Sequence, residues 1–130
     1  MLENNVVGTI NLLEVFGPQL KNFVYASTAE VYGLPKGTVT LAESVATQPL
    51  SYYGASKLAG ELFCSAYAGR NHLPISILRF TVLYGPGDRI NRAIPNFINK
   101  ALTGEPIELF GGEELRDYLY VGDAAEAIYL

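Results

Sequence analysis

The fold of this chain is decided by the stretch Pro74-Ile75-Ser76-Ile77-Leu78-Arg79-Phe80, a short and almost continuously apolar run. Runs of this kind are typical of strands that lie buried in a parallel sheet. A second run of strand length covers residues 22–27, and apolar residues recur at helical spacing from about Tyr52 to Asn71. Because strand, helix and strand follow one another, the sequence predicts an α/β fold with a doubly wound parallel sheet.

The other elements are predicted from similar signals. A helix is expected from Asn4 to Phe16, because Gly17-Pro18 follows its last apolar residue. The second half of the chain predicts a turn, a helix, two short strands and a last helix that Asp123 caps. Their expected ranges are Tyr84–Gly87, Ala93–Thr103, Ile107–Phe110, Asp117–Val121 and from Ala124 onward.

Size and composition indicate a globular chain with a core of its own. Of its 130 residues, 49% are hydrophobic and 17% are charged. The net charge of −4 and the lack of a Lys/Arg cluster argue against nucleic acid or an anionic membrane as the partner. There is no N-terminal signal segment and no run of about 18 apolar residues, so a cytoplasmic location is expected. The single cysteine, Cys64, is expected to be a buried structural thiol.

The chemistry is indicated first by Tyr53-Gly54-Ala55-Ser56-Lys57, in which a tyrosine and a lysine stand four residues apart. On a helix this spacing places the ammonium beside the phenol. A free phenol has a pKa of about 10, and a neighbouring cation favours the phenolate, so such a pair can act as an acid or base. Ser51 is the expected N-cap, which places the tyrosine in the first turn, at the positive end of the helix dipole.

A second tyrosine and lysine, Tyr32 and Lys36, have the same spacing. Spacing alone is compatible with an ordinary aromatic residue and a solvated lysine at either place. Gly33 and Pro35 break a helix, however, so Tyr32 and Lys36 are not expected to converge. The helical context therefore favours the pair that begins at Tyr53.

The carboxyl ends of the two predicted strands indicate where a site lies. Thr28 follows the strand that ends at Ser27, and residues 82–84 follow the strand Ile75–Phe80. In an open α/β sheet these ends border one crevice, and we expect Tyr53 at its side. A threonine hydroxyl there can bond a substrate oxygen while the tyrosine gives or takes its proton, which suits oxidation of an alcohol or reduction of a ketone. The hydride must go to a cofactor, since no side chain accepts it.

Four stretches, in a fixed order, connect the chain with a known family: Asn4–Glu14, Tyr25–Gly33, Tyr53–Glu61 and Arg116–Asp123. In these stretches the chain resembles the extended short-chain dehydrogenase/reductase family, the NAD-dependent sugar epimerases and dehydratases, and most closely the UDP-glucose 4-epimerases. The resemblance implies a partial Rossmann-like doubly wound sheet. Residues 1–85 would be the C-terminal part of the NAD-binding domain, and residues 86–130 the start of a substrate-binding region that returns to the core.

The resemblance also implies roles for individual residues. Tyr53 is the expected catalytic acid or base, Lys57 holds the nicotinamide ribose and tunes the tyrosine, and Thr28 is their hydroxyl partner. The expected cofactor contacts are Asn5, Ala26, Ser27, Tyr53 and Lys57, and the expected substrate contacts are Thr28, Glu30 and Arg116, the last of these on the diphosphate. NAD is the expected cofactor, with NADP left open, and a nucleotide sugar is the expected substrate. A homodimer is expected through the helices near residues 5–16 and 52–71.

Several of these residues have a plainer structural explanation. Thr28 and Asn5 could satisfy local backbone groups. Glu30 could be a solvated carboxylate, and Arg116 could form a surface pair with the aspartate that follows it. His72 is expected at the surface near a helix end, and because it has no Cys or His partners at ligand spacing, no metal site is predicted.

The sequence departs from the family pattern in three places. The glycine-rich fingerprint that binds a dinucleotide is absent, so we expect the chain to be the central part of a longer protein and to be inactive in isolation. Ala29 stands where dehydratases carry an aspartate, which favours epimerisation over dehydration. Val82 replaces an asparagine that commonly helps to hold the sugar nucleotide, so a related reductase, dehydrogenase or dehydratase stays an alternative. A non-catalytic fragment or interaction module is the alternative from another class.

Overall fold

The fold is given by a computed structural model of the chain, which describes residues 1–34, 40–89, 91–109, 111–112 and 115–130. These residues form two compact units, Met1–Phe80 and Thr81–Leu130. The predicted division of roles at residue 85 stays a prediction, and Lys36 of the second Tyr/Lys pair lies outside the described residues. No helix within these ranges has the length and apolar character that crossing a membrane requires.

The first unit is a strand, a helix and a strand, preceded by a further helix. Its elements are α1 (Gly8–Phe16), β1 (Phe23–Thr28), α2 (Tyr52–Asn71) and β2 (Ile75–Phe80). The two strands are parallel, and their register runs from Phe23 opposite Ile75 to Thr28 opposite Phe80. Parallel pairing of strands joined through a helix confirms the predicted α/β fold.

The core of this unit lies between the two helices and the sheet. Leu13 of α1, Tyr25 of β1, Cys64 of α2 and Leu73 are buried together. Partly buried apolar and aromatic side chains pack against this group, namely Phe23, Tyr67, Ile75 and Ile77. Removal of this apolar surface from water is the main contribution to the stability of the unit. Complete burial of Cys64 confirms that it is a structural thiol.

Both ends of α2 lie where the sequence predicts them. At the start, Ser51 Oγ accepts a hydrogen bond from the backbone N–H of Gly54 at 2.9 Å, as an N-cap does. At the end, His72 adopts the left-handed conformation with φ 56°, and its N–H donates to the carbonyl oxygen of Ala68 at 2.9 Å. His72 is exposed, which agrees with the predicted surface position.

The second unit has two short parallel strands and two helices. Its elements are β3 (Val82–Tyr84), α3 (Ala93–Thr103), β4 (Tyr118–Tyr120) and α4 (Val121–Tyr129). The bounds of α3 are those predicted, and Gly104 ends the helix in the left-handed conformation with φ 71°. Residues 82–84 were expected only as the segment beyond a strand. They form β3 because their backbone pairs with β4, beginning with the N–H of Val82 and the carbonyl oxygen of Asp117 at 3.2 Å.

Two predictions in the second half of the chain were wrong. Residues 107–109 do not form a strand, and Phe110 lies outside the described residues. The last helix begins at Val121 and not at Ala124, with Tyr120 as its N-cap. Asp123 therefore lies within the first turn, where its charge faces the positive end of the helix dipole, and it does not cap the helix.

Candidate active site

Tyr53 lies in the first turn of α2 and is 37% exposed, so its side chain can be reached from solvent. The cap at Ser51 fixes where this turn begins. The residue that follows the tyrosine has to be small, because a Cβ at Gly54 would lie 2.8 Å from the carbonyl oxygen of Glu30. The sequence around the tyrosine therefore lets the start of α2 approach the turn that follows β1.

Lys57 lies one turn further along α2, on the same side of the helix as Tyr53. Its Nζ donates a hydrogen bond to the carbonyl oxygen of Ala26 in β1 at 3.0 Å. The ammonium is 5.3 Å from the ring centroid of Tyr25 and 5.9 Å from that of Tyr53, distances at which a cation is attracted to a ring face. Partial burial lowers the pKa of Lys57. The cation therefore lies within cation–π distance of two aromatic rings, near the end of β1.

Asn5 is connected to the backbone of Tyr53 through one serine. Its Nδ2 donates to Ser56 Oγ at 3.0 Å, and that hydroxyl donates to the carbonyl oxygen of Tyr53 at 2.8 Å. Asn5 lies in a π-helical turn, Glu3–Val7, that precedes α1, and turns of this kind are frequent at functional sites. The Asn5 side chain thus contacts α2. The plainer explanation, in which it satisfies the local backbone, does not describe this contact.

Thr28 is buried at the end of β1 and is the N-cap of the 3-10 turn Ala29–Tyr32. Its Oγ1 accepts a hydrogen bond from the backbone N–H of Glu30 at 3.3 Å, so the hydroxyl does satisfy a local backbone group. A hydroxyl that accepts one bond still has its own proton to donate. The local role and a contact with a substrate oxygen are therefore compatible.

Ser27, an expected cofactor contact, has its hydroxyl committed elsewhere. Ser27 Oγ donates a hydrogen bond to Glu61 Oε1, and both residues are buried. The Glu61 carboxylate also accepts hydrogen bonds from Arg79. Nη2 of the arginine donates to Oε2 at 2.6 Å, and Nε lies 3.0 Å from Oε1 and 3.2 Å from Oε2. Because the serine hydroxyl donates to this carboxylate, its proton is not free for a cofactor, and Ser27 can offer a cofactor only an acceptor oxygen and its backbone.

Arg79 extends this group of polar side chains beyond the sheet. Its Nη1 donates to Tyr32 Oη at 2.9 Å and to the carbonyl oxygen of Glu43 at 3.1 Å. The guanidinium also stacks on the Tyr32 ring, 4.9 Å from its centroid. The hydrogen bonds to Glu61 raise the pKa of Arg79 above its ordinary value. Sequence reasoning missed this group, although an arginine within an apolar strand was a signal that a buried partner was needed.

Glu30 and Arg116, the two expected substrate contacts beside Thr28, lie in different units. Glu30 follows β1, and its Oε2 accepts a hydrogen bond from Ser51 Oγ at 2.6 Å. Arg116 is exposed and precedes β4 in the second unit. Its contact with a diphosphate stays a prediction. No cluster of three or more His, Cys, Asp or Glu side chains that could hold a metal occurs in the part of the chain that the structure describes.

Comparison with known proteins identifies relatives over the whole chain. The model of the NAD dependent epimerase/dehydratase family matches residues 1–130. A protein of Bacillus subtilis strain 168 named as an uncharacterized UDP-glucose epimerase, YtcB, is 40% identical over 110 residues. The match covers 84% of this chain and 34% of that protein.

Solved structures give the same result. The UDP-N-acetylglucosamine 4-epimerase of Methanobrevibacter ruminantium M1, in complex with UDP-N-acetylmuramic acid, matches with a TM-score of 0.87 and 30% identity, over 98% of this chain and 43% of that one. The dTDP-glucose 4,6-dehydratase of Bacillus anthracis strain Ames, in complex with NAD, matches with a TM-score of 0.85 and 33% identity, over 98% and 42%. The chain thus spans 34% to 43% of the length of these relatives.

Proposed function

Because the chain belongs to the NAD dependent epimerase/dehydratase family, we propose that it is the central part of an NAD-dependent sugar-nucleotide epimerase, most like a UDP-glucose 4-epimerase. The observation that carries the proposal is the position of Lys57, which is bonded to Ala26 O and lies 5.9 Å from the ring centroid of Tyr53. An ammonium and an accessible phenol thus lie close to each other near the end of a parallel strand. Open α/β sheets bind their ligands at this place. Relatives named as epimerases support the same function.

The residues present fit NAD as the cofactor. Bound NAD would supply reversible hydride transfer at the sugar carbon. Lys57 has three N–H donors, of which one goes to Ala26, and an ammonium of this kind can hold the hydroxyls of a ribose. Asn5 is bonded to the same helical turn through Ser56, and Ser27 would contribute its backbone. The Bacillus anthracis relative, which matches the same part of the chain, was crystallised with NAD.

Tyr53 is the residue that moves the proton. Its phenolate takes the proton of the sugar hydroxyl as the C–H bond at that carbon breaks, which leaves a ketone. The proton returns to the ketone oxygen when the carbon is reduced from its other face. Thr28 donates a hydrogen bond from its hydroxyl to the same oxygen and keeps that oxygen in place, and the ammonium of Lys57 lies 5.9 Å from the ring centroid of the tyrosine.

Dehydration is the second candidate function, because a dTDP-glucose 4,6-dehydratase matches the same residues. That reaction needs an acid that protonates the departing hydroxyl. Ala29, which carries no ionisable group, stands where the resemblance expects a carboxyl group. We therefore favour epimerisation. A reductase or dehydrogenase of the same family differs in that it needs a separate substrate to complete its cycle.

The assembly and the location are part of the same proposal. Apolar side chains are exposed along the π-helical turn, α1 and α2, namely Val7, Leu12, Val15, Phe16, Leu62 and Phe63. Water is excluded from such a surface if two copies pack these helices together. We propose a homodimer through this surface, which we call the helical face, and a cytoplasmic location.

Product analysis with the full-length protein tests the proposed function. Incubation of UDP-glucose with the NAD-loaded protein is expected to give the 4-epimer, UDP-galactose, without an added reductant and without net formation of NADH. A 4-keto-6-deoxy product would instead identify a dehydratase. Turnover that requires an added ketone and consumes NADH in equal amount would identify a reductase.

A further inference from the structure

The turn after β1 and the first turn of α2 approach each other closely, although about twenty residues separate them in the sequence. A Cβ at Gly54 would lie 2.8 Å from Glu30 O and 3.2 Å from the Cβ of Pro49. The backbone of the same turn accepts a hydrogen bond from Gln48, whose N–H lies 2.9 Å from Val31 O. The residues just before α2, which end the connection between β1 and α2, are thus packed against the turn that Thr28 caps.

Glu30 is bonded to both sides of this approach. Its backbone N–H donates to Thr28 Oγ1 at 3.3 Å. Its carboxylate oxygen Oε2 accepts from Ser51 Oγ at 2.6 Å, and the same serine oxygen accepts from the N–H of Gly54 at 2.9 Å. One residue therefore connects the hydroxyl of Thr28 with the cap of the helix that begins at Tyr52.

We propose that Glu30 is a positioning residue, which holds the first turn of α2, and with it Tyr53, in place against Thr28 by accepting a hydrogen bond from the Ser51 hydroxyl. This inference rests on the proposed function, in which Thr28 and Tyr53 act on the same sugar oxygen. It differs from the role that family resemblance implies for Glu30, which is a direct contact with the substrate.

The two roles predict different kinetics. A positioning role acts on the distance between the tyrosine and the reacting oxygen, so its loss lowers kcat and changes KM for the nucleotide sugar little. Loss of a substrate contact that is made in the ground state raises KM, and a change at Ser51 does not reproduce that loss. The behaviour of Ser51 therefore decides between them.

The test uses four variants of the full-length protein: Glu30→Ala, Glu30→Gln, Ser51→Asp and the double variant Glu30→Ala/Ser51→Asp. Ser51→Asp separates capping from the contact with Glu30, because its carboxylate still accepts from Gly54 but has no proton to donate to Glu30. Ser44→Asp, an exposed serine in the same connection, is the matched control for the added charge. Thermal unfolding and NAD binding are measured for every variant.

We expect Glu30→Ala and Ser51→Asp each to lower kcat about fivefold, as loss of one hydrogen bond that a charge assists would do. Glu30→Gln should recover most of the kcat lost in Glu30→Ala, since its amide oxygen still accepts from Ser51. The double variant should lose no more than Ser51→Asp alone, because both changes break one link. Ser44→Asp should keep the kcat of the unmodified protein.

Two results would overturn the proposal. One is a Glu30→Gln variant as slow as Glu30→Ala beside a Ser51→Asp variant with unchanged kcat, which would mean that the charge itself contacts the substrate. The other is a pair of single losses that add in the double variant. Failure of the proposed function is visible separately, as another product from the unmodified protein. In that case the same four variants are compared by the kcat of the reaction observed.

Discussion

Lys57 is the residue on which the account depends most, and its surroundings are set by one buried tyrosine. Tyr25 has its ring centroid 5.3 Å from the ammonium nitrogen of Lys57, and its hydroxyl donates to the carbonyl oxygen of Lys57 at 3.4 Å. Burial, with smaller contributions from Cys64 and Glu61, raises the pKa of Tyr25 from 10.0 to about 12. Tyr25 therefore stays neutral and offers the lysine its aromatic ring. Tyr53, the other tyrosine near this lysine, is accessible to solvent.

The same burial predicts that the protein loses stability in alkali. Burial raises the pKa of Cys64 from 9.0 to about 11, and that of Tyr25 to about 12. In the unfolded chain both groups lose their protons at lower pH than in the folded chain, so unfolding releases protons and the free energy of unfolding falls as pH rises. The contribution of the two groups is complete below about pH 9 and declines up to about pH 12.

Urea unfolding between pH 8 and pH 11 measures this effect. We expect Tyr25→Phe to reduce the fall in the free energy of unfolding above about pH 10, because the titrating group is gone. Tyr129→Phe, which changes a tyrosine that is 89% exposed, is the matched control and should leave the fall unchanged. An identical alkaline fall in Tyr25→Phe and in the unmodified protein would contradict this explanation.

At the scale of elements, the sequence predicted those that end in strong local signals. The bounds of α2 were correct because Ser51 caps its start and His72 closes its end, and Gly104 has the same effect on α3. The strand β3 has three residues and no periodicity of its own, so it exists only through pairing with β4, which no local signal shows. A strand was also predicted over residues 107–110, but residues 107–109 form none, because their side chains do not by themselves supply a partner strand.

Glu61 and Arg79 join three elements that surround the site. Glu61 of α2 accepts a hydrogen bond from Ser27 of β1 and forms an ion pair with Arg79 of β2. The Arg79 side chain also donates to the carbonyl oxygen of Glu43, in the connection between β1 and α2. Sequence reasoning did not predict this pairing, because the partners are 18 residues apart and only the packing of helix on sheet brings them together. The pair therefore holds the end of β1 and the connection in one arrangement.

Breaking this pair is expected to be costly. Glu61→Gln places an amide against the guanidinium and leaves a mostly buried cation without its counter-charge, so the free energy of unfolding should fall by about 3 kcal/mol. Glu126→Gln, which removes an exposed carboxylate on α4, is the control and should change it by less than about 0.5 kcal/mol. Urea unfolding of the full-length protein measures both variants, and an equal and small effect of the two would show that the pair does not hold these elements together.

At the scale of the whole molecule, the sequence predicted the type of fold and the family from ordered motifs, and the family match covers residues 1–130. The roles of Asn5, Ala26, Thr28, Tyr53 and Lys57 stay predictions that the geometry of the first unit supports. Hydrogen bonds of Ser27 and Glu30 were beyond reach of the sequence, because they depend on which way a side chain turns in the packed unit.

The homodimer is a prediction at this scale. Leu62 is 65% exposed on α2 and belongs to the helical face, so Leu62→Glu would bury a charge between two copies and should give a monomer. Leu102→Glu, at a position of α3 that is 82% exposed, is the matched control and should leave the mass unchanged. Light scattering of the full-length protein gives the mass directly. An unchanged dimer in Leu62→Glu would exclude the helical face as the interface.

The central claim is that Tyr53 moves the proton of the sugar hydroxyl, and the most direct measurement is the rate of UDP-glucose epimerisation by Tyr53→Phe and Tyr52→Phe. The neighbouring Tyr52 is 92% exposed and serves as the matched control. Tyr53→Phe is expected to lower kcat by about 100-fold or more while NAD binding and the unfolding temperature stay close to those of the unmodified protein. Tyr52→Phe should turn over normally. Turnover by a folded, NAD-loaded Tyr53→Phe protein at the rate of the Tyr52→Phe protein would contradict the account.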